Sequence, residues 1–396
     1  MSNGFAGFTE AVSRRSTTVP AATGRALDRV AVLGGGADAR LIAAMCLAEN
    51  ATVSLFSAYG AELQQLRGGG GIALRGAGPV GSYQIDREGV PSIQTTAELD
   101  HAVTDADVIF LTGPVHKQRT YAMVLADHLS DGQVLVLAPG RSLGALEAAW
   151  FLRIGGCRAD ITIVEAQGLP FFISANGSQL RLSAMLPVPA STLPSGRTEV
   201  LTQLKRYLPN IEPVESVLQS GFADGSAVVE IPALLVNGPA VGDGAVNIPM
   251  GGQPLPENET FAALIGDEQR SVIAQLAEER LRVAQRFGMR NLPDVDQWIS
   301  LYAGESRGEG SRPVPSRAVS AELLRDGVIG SLVPLLSAAE LTGTSVPMTQ
   351  AMITLVSSVL GVDVAAAGRR LNTIGISAGD IDSARKAMDK IASGDR

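Results

Sequence analysis

Between residues 29 and 169, short runs of consecutive apolar residues alternate with stretches whose apolar positions recur at helical spacing. Val30-Ala31-Val32-Leu33 is apolar throughout and ends in glycines, the pattern of a strand buried on both faces of a parallel sheet. Residues 52–56, 107–111, 134–137 and 161–164 repeat it. Helical patterns separate them over 39–49, 60–67, 96–103, 117–129 and 142–154. A glycine run at 68–71, with short apolar segments at 72–74 and 83–85, predicts a small antiparallel excursion. Alternation at this spacing predicts a doubly wound parallel sheet, an α/β Rossmann domain, with ligands bound at the strand C-terminal ends.

Residues 170–215 read as further strands and a helix over 197–207. After about residue 225 the pattern turns to long helices over 261–287, 321–342, 347–360 and 379–392. The stretch 304–315 is rich in Gly, Ser, Arg and Pro and reads as a mobile loop. Residues 238–252, with Asn247, Pro249 and several glycines, read as a loop over the cleft. The expected organisation is an extension over 1–28, the Rossmann domain over 29–215 and an all-helical C-terminal domain over 216–396.

Composition narrows the function. The 396 residues are too many for one ordinary domain, and 45% hydrophobic content supplies two cores. Net charge is −8 without a dense basic run, which argues against nucleic acid as partner and for a small-molecule substrate. Two cysteines, Cys46 and Cys157, make no disulfide framework and no metal-ligand spacing. Cys46 reads as a small core residue. No signal-peptide core and no membrane-length apolar run are found, so the expected compartment is the cytoplasm, with no membrane partner.

The candidate chemistry begins at Gly34-Gly35-Gly36-Ala37-Asp38-Ala39, directly after a predicted strand and opening a predicted helix. Gly34, Gly36 and Ala39 fill the three positions of G-x-G-x-x-G/A. They supply the tight turn, the close backbone approach to a pyrophosphate and the small residue at the helix–sheet contact. A nicotinamide dinucleotide is the expected cofactor. The second strand ends Phe56-Ser57, with Tyr59 nearby and Arg67 further on, rather than in a carboxylate that would bond a ribose 2′-OH. Without that carboxylate a 2′-phosphate is not repelled, so the expectation is NADP, with NAD as the alternative.

Other chemistry-bearing residues are weighed one by one. His116 follows a strand end and the Gly113-Pro114 turn, which aims it at the cofactor cleft or leaves it on the surface. His101 and His128, the other two histidines, read as surface residues. Glu230 stands in the apolar run 227–235. There it is either a carboxyl with a raised pKa, able to act as an acid, or a glutamate on an exposed helical turn, with Asn237 further along the helix. Glu165, at a strand end, either caps the next turn or bonds cofactor or substrate. Arg141 could grip a substrate carboxylate but reads more readily as a surface arginine.

Taken in order, several segments resemble the opine dehydrogenases, the octopine and nopaline dehydrogenase family. They are Gly113-Pro114-Val115-His116, Leu137-Ala138-Pro139-Gly140-Arg141-Ser142-Leu143-Gly144-Ala145, Glu165-Ala166-Gln167-Gly168-Leu169-Pro170, Glu278-Glu279-Arg280 with Gly288, Val333-Pro334, Pro347 and Gly368-Arg369. The resemblance spans about 29–380. It implies an active site between a Rossmann and a helical domain, where NAD(P)H reduces an imine formed from an amino acid and a 2-oxo acid. It also implies a homodimer.

The family's proton donor is a histidine paired with an aspartate from the helical domain. Here Phe222-Ala223-Asp224-Gly225-Ser226-Ala227-Val228-Val229-Glu230-Ile231-Pro232 resembles that stretch, with Glu230 where the histidine would stand. The acidic partner falls on Glu322 counted from Arg317, or on Asp326 counted back from Val333-Pro334. Three readings stay open: opine-type condensation, an alcohol or 2-hydroxy acid dehydrogenase using Glu230 or His116, and a dinucleotide sensor without catalysis.

Overall fold

In the computed structural model of the chain, the described residues are 26–238, 260–376 and, beyond them, 383, 384, 386, 387 and 391. The expected loop over 238–252, except residue 238, and most of the helix expected over 379–392 lie outside them.

Alternate residues of β1 (Arg29–Leu33) point to opposite faces of the sheet and enter separate cores, Val30 and Val32 in one, Ala31 and Leu33 in the other. Its neighbours are β2 (Thr52–Phe56) and β6 (Val108–Leu111), both parallel. On one side follow β7 (Val134–Leu137) and β8 (Thr162–Ala166), again parallel. Then come β11 (Val188–Leu193), antiparallel, and β12 (Ile211–Pro213). On the other side β2 pairs in parallel with β5 (Ser92–Thr96), followed by β4 (Gly81–Ile85), β3 (Ile72–Gly76), β10 (Gln179–Ala184) and β9 (Phe171–Asn176). The core order β8-β7-β6-β1-β2-β5 is the doubly wound one, and β3 and β4 form the expected antiparallel excursion.

Helices α1 (Ala37–Ala48), α2 (Gly60–Gly68), α3 (Leu99–Val103), α4 (Val115–Leu125), α5 (Gly144–Ile154) and α6 (Thr198–Leu204) connect the strands. The helix expected over 96–103 is shorter because Ser92–Thr96 is a strand. Its polar composition hid it, although Ile93 is wholly buried.

From α7 (Val217–Ala223) onward the elements formed by the described residues are helices. α7 itself lies against β8 and β11, where Ser220 and Ser191 share a hydrogen bond of 2.8 Å. α8 (Ser226–Asn237) is buried on nearly every side and carries Pro232 within it. The helix expected over 261–287 is broken: a 3₁₀ turn at Phe261–Leu264 ends at Ile265, and Gly266 caps α9 (Asp267–Arg286). α10 (Val295–Ala303) follows.

The helix expected over 321–342 is also interrupted. α11 (Arg317–Gly327) passes through a π-helical turn at Val328–Leu332 into α12 (Val333–Thr342). Widening the helix frees two carbonyls for long-range partners: Gly330 O accepts Ser142 N at 2.9 Å, and Ile329 O accepts Arg369 N at 3.0 Å. α13 (Pro347–Leu360) matches its expectation. Among the described residues no single helix is long and apolar enough to cross a membrane.

Candidate active site

The C-terminal ends of β1, β6 and β7 meet the helical part along one seam. Gly34 leaves β1 with φ +133°, and a Cβ there would stand 2.6 Å from Thr112 Oγ1, so only glycine fits. A Cβ on Gly36 or Gly113 would touch nothing. Gly36 opens α1 with no side-chain cap, leaving the first N–H groups of that helix available to an anion. Forced turn, open face and uncapped helix N-terminus fit a dinucleotide pyrophosphate. Ala37 and Asp38 follow in the first turn, and Ala39 is wholly buried against the sheet.

The premise behind the NADP expectation does not hold. A carboxylate does stand at the end of β2, delivered by α2: Ser57 Oγ donates to Glu62 Oε2 at 2.5 Å. The same carboxylate lies against Gly35, where a Cβ would collide with it. Glu62 went unnoticed because it comes from the helix after the strand.

Arg141, expected on the surface, is 7% exposed and central to the seam. It follows Gly140 after the cis Ala138–Pro139 bond, and both Arg141 (φ +58°) and Leu143 (φ +64°) are left-handed. Such backbone costs about 1–3 kcal/mol per residue and persists only when its surroundings enforce it. Here Gln167 Nε2 donates to Arg141 O at 2.9 Å, and Arg369 donates to Gly140 O and Ser142 O. Gly330 is small enough for the π-turn to rest on Val115 and Arg141. Arg141 Nη1 donates to Ser226 Oγ and lies 3.8 Å from Glu230 Oε2. Burial opposes its charge, but Glu230, Asp224 and Asp326 hold the guanidinium above its ordinary pKa.

Glu230 is buried and clamped. Arg312 Nη2 pairs with its Oε1 at 2.8 Å, opposite Arg141. Arg312 lies within the stretch 304–315 that sequence reads as a mobile loop, and it is buried, with its guanidinium 4.2 Å from the Phe261 ring centre and 5.0 Å from that of Phe172. It also donates to Tyr302 O, and Ala184 N donates to Glu309 O at 2.8 Å, so this stretch is tied down at both the helices and the sheet. With both oxygens facing arginines, Glu230 positions Arg141 rather than standing free. Arg141 Nε, Glu230 Oε2 and the Tyr302 hydroxyl find no hydrogen-bond partner among the described residues.

Of the two acids of α11, Asp326 is the one that reaches across the seam. Its Oδ2 accepts Val115 N at 3.3 Å across the seam, whereas Glu322 is exposed. Packing around Asp326 raises its pKa to about 6, against Arg141 and the Val115 N–H, with Glu322 and Asp38 adding repulsion. Asp38 is likewise raised to about 6 by its surroundings, against Arg141. Both carboxylates keep part of their surface open, as groups lining a crevice do.

His116 sits on the exposed side of α4, its pKa lowered by the atoms around it and then by Lys117, Arg325 and Arg119. His128 pairs with Asp100 at 2.7 Å and His101 with Glu98 at 3.1 Å, both away from the seam. Asn237 donates to Leu264 O at 2.9 Å and does not join Glu230.

Glu165, expected to cap a turn or to bond cofactor or substrate, lies in the interior at the end of β8. It is wholly buried, accepting Ala145 N at 2.9 Å, Ser220 Oγ at 2.6 Å and Gln167 Nε2 at 3.1 Å. Burial lifts its pKa to about 7 against those donors. It caps α5 and pins α7 to the sheet. Other buried ties, several of them from the segments that carried the resemblance, do similar work. Glu147 bridges Arg119 and Arg369, each at 2.8 Å, and Arg280 donates to Phe222 O and Gly221 O at 2.9 and 2.7 Å. Glu279 caps α13 through Met348 N and Thr349 N, both at 2.8 Å.

No protein-family model matches the chain. It is 25% identical over 372 residues to the opine dehydrogenase of Arthrobacter sp. (strain 1C), covering 91% of this chain and 98% of that one. It is 23% identical over 309 residues to Protein ocs of Agrobacterium tumefaciens (strain Ach5), covering 75% of this chain and 83% of the other. In fold it is similar to an octopine dehydrogenase solved with NADH and agmatine, with a TM-score of 0.65, 17% identity and coverage of 93% and 98%. Along nearly the whole of both chains, the protein is similar to an opine dehydrogenase in sequence and to an octopine dehydrogenase in fold.

Proposed function

We propose that the chain is a nicotinamide-dinucleotide-dependent oxidoreductase that joins an amine, such as an amino acid, to a 2-oxo acid by reductive condensation. The carrying observation is that Asp326, with a pKa of about 6, is held on the Val115 N–H beside the dinucleotide turn, with Arg141 next to it. The dinucleotide, bound on Gly34–Gly36 and the N-terminus of α1, supplies a hydride.

The remaining work falls to the chain. Condensation releases water, and reduction of the resulting imine consumes one proton. A carboxyl that titrates near neutral pH is suited to exchanging that proton, the task a histidine performs in the family that this chain resembles. Arg141 keeps its charge and has an unpartnered Nε, so it can hold the 2-oxo acid through its carboxylate or carbonyl oxygen. Glu230 and Ser226 fix the direction of that guanidinium. The cationic amine finds favourable charge at Asp38 and Glu322.

A cofactor-coupled absorbance assay tests the reading. Oxidation of the reduced dinucleotide should require an amine and a 2-oxo acid together. Turnover with a 2-oxo acid alone would make the chain a 2-hydroxy acid dehydrogenase, and cofactor binding without turnover on any pair would make it a sensor.

A further inference from the structure

We infer that Glu62 selects NAD(H) over NADP(H), reaching from α2 to the place where the strand itself offers only Ser57. The inference rests on the dinucleotide reading and deepens it. Two contacts fix the carboxylate, and a third fixes the serine that holds it. Ser57 Oγ donates to its Oε2 at 2.5 Å, Tyr59 N donates to the same Ser57 Oγ at 3.1 Å, and the carboxylate packs on Gly35 in the middle of the glycine turn. It therefore stands between the end of β2 and the turn that receives the pyrophosphate. This is where the adenosine ribose of a dinucleotide lies in a doubly wound sheet, and where an acidic group accepts the ribose 2′-OH.

Glu62 remains partly open to solvent, so one oxygen is fixed by Ser57 while the carboxylate can still meet a ligand. A 2′-phosphate brings between one and a half and two negative charges near neutral pH, about as phosphate esters do. It would confront this carboxylate directly.

Basic groups nearby do not offset it. Arg67 is committed to Asp86 at 2.8 Å and Thr95 at 3.0 Å. Arg40 donates to Gly177 O at 2.5 Å. Lys117 is the exception, with Nζ 3.3 Å from the Tyr59 hydroxyl and 4.8 Å from its ring centre. One ammonium resting on a tyrosine is less than the arginine fork that usually grips a 2′-phosphate.

Equilibrium binding, read from the fluorescence of the reduced nicotinamide, separates the outcomes without relying on turnover. The full chain should bind NADH about tenfold to a hundredfold more tightly than NADPH, the range for a hydrogen bond to a charged group. Glu62→Gln should cut the preference to about threefold or less, chiefly by tightening NADPH, with an unchanged melting temperature. Ser57→Ala, which keeps the charge and loosens its position, should weaken NADH while leaving NADH preferred. Tighter NADPH binding by the wild type, or an unchanged preference in Glu62→Gln, would overturn the inference. Binding of neither nucleotide would overturn the dinucleotide reading with it. Selective NADH binding without turnover would uphold Glu62 and count only against condensation.

Discussion

Asp326 Oδ2 accepts the backbone N–H of Val115 at 3.3 Å, joining the last turn of a helix in the helical part to the first residue of α4 on the sheet. An aspartate in that place gains from the α4 N-terminus yet keeps a pKa of about 6, because the packing around it and the nearby Glu322 and Asp38 work against its charge. The proposed proton-transfer group is thus shaped by both halves of the chain.

Asp326→Asn keeps the shape and can still accept the Val115 N–H, but cannot exchange a proton. Its turnover should fall by about a hundredfold to ten-thousandfold, while reduced-dinucleotide affinity stays within about twofold. The wild-type pH–rate profile should bend near pH 6, and the variant should lose that bend. Unchanged turnover in a cofactor-coupled assay would remove Asp326 from the chemistry.

Arg141→Lys preserves the charge beside Glu230 and Asp224 but loses the planar fork. The KM for the 2-oxo acid should rise about tenfold or more, with the amine KM little altered. Arg141→Ala should in addition destabilise the fold by about 1–3 kcal/mol, since it removes a buried side chain and its hydrogen bond to Ser226 while Glu230 keeps Arg312. Chemical denaturation of the two variants would separate the effects.

Glu165→Gln addresses stability rather than chemistry. The folded pKa of Glu165 is raised from 4.5 to about 7, so the neutral form is favoured in the fold. Its contribution is complete below about 4.5 and is lost as pH rises through 7. The variant should therefore gain on the wild type as pH increases, by on the order of 3 kcal/mol between the two limits. Melting temperatures taken across that range check this, and a variant that loses ground to the wild type as pH rises would contradict it.

Glu147→Gln removes the one carboxylate between Arg119 and Arg369, the latter 1% exposed. Leaving Arg369 without its ion-pair partner should cost about 3–5 kcal/mol. Because Arg369 holds the carbonyls flanking Arg141, activity should fall more steeply with temperature than in the wild type.

How much of this was legible in the sequence depends on how local each feature is. The glycine turn and the strand–helix alternation are local and survived intact. Ser92–Thr96 escaped because a polar strand carries no apolar run, only Ile93. Arg141 read as a surface residue because the acidic groups beside it, Asp224, Glu230 and Asp326, lie more than eighty residues on. Arg312 was hidden by a Gly- and Ser-rich neighbourhood that argues for mobility, while Phe261 and Phe172, which hold it, come from distant segments. Glu62 follows Ser57 by five residues, near enough that a helix starting at Gly60 could have been seen to carry it back over the turn. Motifs that carried the family resemblance turned out largely to be buried ties between the sheet and the helices, such as Glu165, Glu147–Arg369 and Arg280.

The most direct measurement of the central claim follows the hydrogen itself. The protein is supplied with an amine, a 2-oxo acid and a reduced dinucleotide deuterated at the transferring position, and the products are read by mass spectrometry and proton NMR. The account predicts a secondary amine bearing one deuterium on the carbon that was the ketone of the oxo acid. Deuterium in a 2-hydroxy acid, or no labelled product from any pair, would contradict it.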